Sequence, residues 1–334
     1  MIKAAFLNET PDTLRRVYAE RQMARLNKLV QLYPAVITSV DEARAARDAL
    51  KDIEVVFSTW GMPAMTEAEI KECFPSLKAV FYGAGSVQYF ARPFLNAGVR
   101  VYSAWQANAV PVVQYAFAQI LLATKGYFRV QPLTRADRSA GHKLFENYPG
   151  NYDVKIGLLG CGAIGRRVAE LLVGMDMEVL VFDPFLSEEQ AAALGVRKAD
   201  MAEIFATCQV VSNHLANLPA TVGIIKREHL LSMQPYSTFI NTGRGPQLNE
   251  QDLFDMLVQD STRTALLDVM TEEGKSVANP LNQLENCLIT PHIAGSSGRE
   301  VRRMADYMLD TFERVRAGQP SDYEVTMKML ESMA

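Results

Sequence analysis

Residues 154–183 hold the segment that most restricts what this chain can fold into. The apolar run VKIGLLG (154–160) reads as a strand. It enters the loop Gly160-Cys161-Gly162-Ala163-Ile164-Gly165, which opens an apolar helix from Ala163 to Val173. A second strand, EVLVF (178–182), ends at Asp183, 23 residues beyond the first glycine. Strand, G-x-G-x-x-G, helix, strand and acid together form the dinucleotide-binding fingerprint of a doubly wound sheet. Gly160 permits the tight turn, Gly162 lets backbone approach a pyrophosphate, and Gly165 lets helix and strand pack closely. Ala163 and Ile164 offer free N–H groups at the helix start. Asp183 can accept from ribose hydroxyls and would repel a 2′-phosphate, so NAD(H) is expected over NADP(H).

The same alternation of apolar runs and amphipathic stretches fills the chain, which predicts an α/β protein with mainly parallel sheets. At roughly 100–200 residues per domain, 334 residues predict about two. In the first third, residues 3–7, 53–58, 77–82 and 99–103 read as strands. Helical patterns lie near 11–32, 41–50, 66–73 and 88–97, with Asp41 and Thr66 as expected N-caps. A long apolar helix follows, Asn108 to Lys125. Residues 127–153 read as an irregular connection. The second series continues with strands at 209–215, 237–241, 264–269 and 286–291, then a closing helix, Arg299 to Arg316, and a polar tail.

Composition excludes several classes. A net charge of −4 gives no footprint for nucleic acid. The N-terminal apolar stretch is too short for a signal peptide, and no segment approaches the ~20 consecutive apolar residues of a spanning helix. A soluble, cytoplasmic chain is expected. The 4 Cys are scattered without a C-x-x-C pair, so free thiols are expected and a metal site is not.

Three ionisable residues stand at ends of later strands, where doubly wound sheets bind ligands. Arg244 follows STFIN, Glu273 lies past TALLDV, and His292 ends LITPH. Reducing a 2-oxo acid by hydride transfer needs these types. An Arg fork holds the carboxylate and polarises the carbonyl. A His supplies the proton near neutral pH, and a carboxylate beside it fixes its ring. Of the other histidines, His214 is expected near the cofactor, His229 on a solvated helix face, and His142 without a role.

The segments IGLLGCGAIGRRVA with VLVFDP, VVSNHLANLPAT, FINTGRG, ALLDVMTEE and LITPHIAGSS resemble the D-isomer-specific 2-hydroxyacid dehydrogenases. The resemblance implies an NAD-binding Rossmann domain, residues 107–293, inserted into a flavodoxin-like substrate domain of residues 1–106 plus 294–334. It implies an active site between domains that close over it. It gives catalytic roles to Arg244, Glu273 and His292. It implies cofactor contacts at Ala163, Ile164, Asp183, Leu215, Ala216, Thr221, Thr242, Gly243 and Asp268, the last holding the nicotinamide amide. It makes Gly83–Val87 a substrate loop, with Ala84, Gly85 and Ser86 binding the carboxylate, and matches Asn108 to the start of the interdomain helix. It implies a homodimer, although burial within one chain explains the apolar helix as well. The chain departs from the family at Trp105, Gln106, Gln114, Ala216 and Gly274, and in the Ser86-Val87-Gln88 stretch. Glu273 argues against formate dehydrogenase activity, where Gln takes its place. The alternative is a non-catalytic NAD(H)-sensing dimer, like corepressors of the same superfamily.

Overall fold

A computed structural model describes residues 1–273 and 279–331. Gly274 and the last three residues lie outside the described residues. The chain divides into two compact units, one formed by 1–109 with 296–334 and the other by 110–295.

Unit 1 is built on a six-stranded sheet: β1 (Ile2–Leu7), β2 (Val30–Ile37), β3 (Val55–Ser58), β4 (Ala79–Tyr82), β5 (Arg100–Ser103) and, numbered last along the chain, β13 (Glu324–Val325). The order is β2-β1-β3-β4-β5-β13, parallel except for β13, which is the flavodoxin-like winding with an added edge strand. Strands β3 and β4 are buried at every position, so they read as continuous apolar runs rather than as alternation. Phe81 stacks on Tyr102 at 4.8 Å and meets Phe312 edge-on at 5.4 Å. Phe312 belongs to the helix Val301–Arg316. Each such aromatic pair adds about 0.5–1.5 kcal/mol beyond area burial, and these pairs fasten the late helix to the early sheet.

Unit 2 carries a seven-stranded, wholly parallel sheet: β6 (Val154–Leu159), β7 (Met177–Phe182), β8 (Arg197–Lys198), β9 (Val210–Asn213), β10 (Thr238–Asn241), β11 (Thr264–Leu267) and β12 (Cys287–Ile289). The order β8-β7-β6-β9-β10-β11-β12 is the Rossmann winding with one strand more. Its order reverses between β6 and β9, where crevices for ligands form.

The structure corrects several local expectations. The helical stretch 11–32 is two helices, Pro11–Val17 and Glu20–Leu29, followed by β2. Ser39, not Asp41, caps the helix Val40–Ala45, its hydroxyl accepting from Glu42 N–H. Thr66 caps Glu67–Cys73 in a capping box with Glu69. Residues 127–153 are not irregular: they contain helices Tyr127–Ala136 and Arg138–Phe145. The tail contributes β13 and a 3₁₀ turn at Met329–Glu331. The helix Trp105–Thr124 is long and apolar enough to cross a membrane by length and composition, and half of that stretch is buried in the protein.

Candidate functional site

In unit 2 the glycine loop leaves β6 at Gly160, whose φ of +92° only glycine adopts easily. A Cβ there would stand 2.9 Å from the His214 carbonyl oxygen. Gly165 lies against the Gly160 carbonyl, where a side chain would collide, while Gly162 faces open space. No side chain caps the helix Gly165–Val173 at Ile164. Its first N–H groups and positive dipole end are therefore available to an anion. Asp183, just past β7, accepts from Cys161 N–H at 2.6 Å and Phe185 N–H at 2.8 Å. Open space, an uncapped helix start and a held carboxylate fit the pyrophosphate and ribose of a dinucleotide.

The next strand ends carry a buried polar layer. Thr242 Oγ1 lies 3.3 Å from His214 Nδ1, and Ser212 Oγ lies 3.0 Å from His214 Nε2. Burial pushes the His214 imidazolium down to a pKa of about 4, so the ring is neutral near pH 7. Thr221 Oγ1 donates to the Ala216 carbonyl at 2.7 Å, which folds the 216–221 loop on itself. Leu215 N–H and Gly243 N–H donate to the side-chain oxygens of Asn213 and Asn241.

Arg244, Glu273 and His292 lie at the ends of β10, β11 and β12. His292 Nδ1 is 2.9 Å from the Glu273 carboxylate, and both side chains are about half exposed. Arg244 Nη1 donates to its neighbour's carbonyl, Gly243 O, at 2.8 Å. Burial pulls the guanidinium pKa down, and the Glu273 charge partly restores it. Arg244 and His292 thus share one carboxylate as an electrostatic neighbour.

His292 has a φ of +55°, a left-handed conformation that costs an L-residue about 1–2 kcal/mol. Asp268 holds it there. The buried Asp268 carboxylate accepts from Thr290 Oγ1 at 2.6 Å, Ile293 N–H at 2.8 Å and Ala294 N–H at 2.9 Å. Tyr115 of the long helix lies 3.1 Å from the Thr290 hydroxyl. On the other side, Glu250 accepts from Thr271 N–H at 2.7 Å and Asn279 Nδ2 at 2.6 Å. The sequence does not single out Thr290, Tyr115, Glu250, Asn213 or Asn241. The available signal was a polar residue closing an otherwise apolar strand, as at Asn213 and Asn241.

Unit 1 holds Gly83–Val87, the loop for which the resemblance implies substrate binding. Ser103 Oγ lies 2.9 Å from the carbonyls of both Ala84 and Gly85, which turns those oxygens toward the sheet. Ser86 is exposed. Asn108 Oδ1 accepts from Ser296 N–H at 3.2 Å, and Gln88 Nε2 donates to Leu330 O at 2.7 Å. His229 corrects its expectation: it is half-buried, stacks on Phe205 at 5.5 Å, and accepts from Lys226 N–H.

The family model for the D-isomer specific 2-hydroxyacid dehydrogenase, NAD binding domain, matches residues 117–294. A D-3-phosphoglycerate dehydrogenase of Archaeoglobus fulgidus is 26% identical over 282 residues, covering 79% of this chain and 52% of that protein. The chain spans about half the length of the curated D-3-phosphoglycerate dehydrogenases it matches. Among solved structures, apo D-mandelate dehydrogenase of Rhodotorula graminis superposes with a TM-score of 0.81 at 19% identity, covering 97% of each chain. The NAD-complexed D-isomer specific 2-hydroxyacid dehydrogenase of Lactobacillus delbrueckii ssp. bulgaricus gives 0.76 at 19%, covering 97% of this chain and 100% of that one. At those identities the structures show the fold, and the family model supplies the rest: the chain belongs to the D-isomer specific 2-hydroxyacid dehydrogenase family.

Proposed function

We propose that the protein is an NAD(H)-dependent oxidoreductase that interconverts a small 2-oxo acid and its D-2-hydroxy acid. The observation carrying this reading is the Glu273–His292 pair, 2.9 Å apart, held by the Asp268 turn. NAD(H), when bound, supplies or accepts the hydride at the substrate's second carbon. Gly160, Gly162, Ala163, Ile164 and Gly165 are assigned to its pyrophosphate, and Asp183 to the adenosine ribose. A carboxylate at Asp183 disfavours a 2′-phosphate, which supports NAD(H) over NADP(H). Leu215, Ala216, Thr221, Thr242, Gly243 and Asp268 complete the cofactor edge.

Arg244 pairs its fork with the substrate carboxylate and polarises the carbonyl. The N–H groups of Ala84, Gly85 and Ser86 are assigned to the same carboxylate. His292, its Nδ1 on Glu273, gives the proton on Nε2 to the carbonyl oxygen as charge develops there, and takes it back in the oxidation. Unit 1 is assigned the substrate and unit 2 the cofactor, in a soluble, cytoplasmic homodimer.

The test is steady-state reduction of glyoxylate, hydroxypyruvate and pyruvate with NADH and with NADPH. Losing a general acid costs typically 10²–10⁴-fold, so His292→Ala should lose that much in kcat while its NADH affinity stays unchanged. Equal rates in wild type and variant overturn the role of His292. Tight NADH binding with no turnover of any 2-oxo acid overturns the enzyme reading in favour of the sensing dimer.

A further inference from the structure

One side-chain amide in unit 2 is bonded on all sides. Gln247 is 1% exposed. Its Oε1 accepts from Asn213 Nδ2 at 2.7 Å and from the backbone N–H of Arg244 at 3.0 Å. Its Nε2 donates to the carbonyls of Leu215 at 3.1 Å and Ala216 at 2.9 Å. Both donors and both lone pairs are used, and the amide orientation follows from its partners. Asn213 Nδ2 also donates to Asn241 Oδ1 at 2.9 Å, and Asn241 Nδ2 to the Arg244 carbonyl at 3.3 Å. The network occupies the space beside Gly243. A Cβ there would stand 2.6 Å from Gln247 Oε1 and 2.7 Å from Asn213 Nδ2.

We propose that Gln247 is a positioning residue that locks the Arg244 backbone and the Leu215–Ala216 loop into one body, so that the substrate cation and the cofactor edge keep a fixed spacing. The inference rests on the roles proposed above for Arg244 and for residues 215–216. No other side chain bonds both segments among the described residues. Unsatisfied buried polar groups are costly, so loss of this amide releases both segments at once.

The test uses the full chain with Gln247→Glu. The carboxylate still accepts from Asn213 and Arg244 but sets its second oxygen against two carbonyl oxygens. When protonated, it donates to one of them. At pH 8, kcat/KM for an accepted 2-oxo acid should fall about 10²-fold, and NADH affinity should fall with it. A buried carboxyl keeps its proton to higher pH than an exposed one, so the variant-to-wild-type ratio should rise at least tenfold by pH 5.5. A ratio independent of pH, or a change in only one of the two constants, overturns the proposal. Should Gln247→Glu not fold, Gln247→Met, uncharged and of similar reach, is read instead, with both constants expected to worsen. If wild type reduces no 2-oxo acid, the functional reading fails, while NADH affinity across pH, measured by cofactor fluorescence, still decides the lock between Gln247 and the 215–216 loop.

Discussion

His292 sits in a conformation that a non-glycine residue avoids, and three donors on one carboxylate keep it there. Asp268→Asn retains the shape but turns one acceptor into a donor that faces a backbone N–H. The turn should relax and the ring swing away from the position proposed for proton transfer. A misplacement near 1 Å costs on the order of 10²-fold in rate. The expected result is a fall of that size in kcat, with far-UV circular dichroism unchanged. A wild-type kcat would show that the ring holds its place without Asp268. The sequence made the pair Glu273–His292 legible because each follows an apolar strand. It did not reveal how Asp268 is used. An acceptor for Ile293 and Ala294 N–H becomes visible only once the left-handed turn at His292 is built.

At the scale of elements, burial decided what could be read. Strands β3, β4, β9 and β10 are buried throughout, so short apolar runs announced them, closed in β9 and β10 by Asn213 and Asn241. Strand β2 is half exposed and contains Pro34, and its residues prolong the preceding helical pattern. The helix Tyr127–Ala136 buries no residue, so it lacks the apolar stripe by which a helix is recognised. The fingerprint helix was legible because its spacing is dictated by chemistry. Elements also set the loop bearing Glu273, because Glu250, in the first turn of the helix Glu250–Gln259, grips Thr271 and Asn279. Hydrogen bonds to a charged group contribute about 1.5–3 kcal/mol. Glu250→Gln should therefore raise hydrogen exchange at Thr271 by roughly tenfold or more, and lower kcat while leaving exchange in β9 and β10 alone. Unchanged exchange at Thr271 would remove the grip from the account.

Across the whole molecule, the histidines and the tryptophans are divided between the two units. All four histidines, His142, His214, His229 and His292, lie in residues 110–295, and both tryptophans, Trp60 and Trp105, lie in the other unit. Burial lowers the His214 pKa to about 4 and also lowers that of His229. An unfolded histidine titrates near 6.5. Below that pH the unfolded chain binds more protons than the folded one, so stability is lost as pH falls. For His214 the loss begins near pH 6.5, reaches about 2 kcal/mol by pH 5, and ends near pH 4, where the folded ring also titrates. Unit 1 has no histidine, and its depressed carboxylates, among them Glu54 and Glu69, lose their contribution only when pH falls through the ordinary carboxylate range and below. Urea unfolding at pH 7 and pH 5 separates the two effects. Fluorescence of Trp60, read in a Trp105→Phe background because Trp105 opens the helix that runs on into unit 2, reports unit 1 and should keep its midpoint. Far-UV circular dichroism, which sums both units, should gain an earlier transition at pH 5. In His214→Gln, whose amide does not titrate, that earlier transition should shift less between the two pH values. Equal shifts in both probes, or a His214→Gln protein as acid-sensitive as wild type, would mean that the acid response resides in groups other than the buried imidazole.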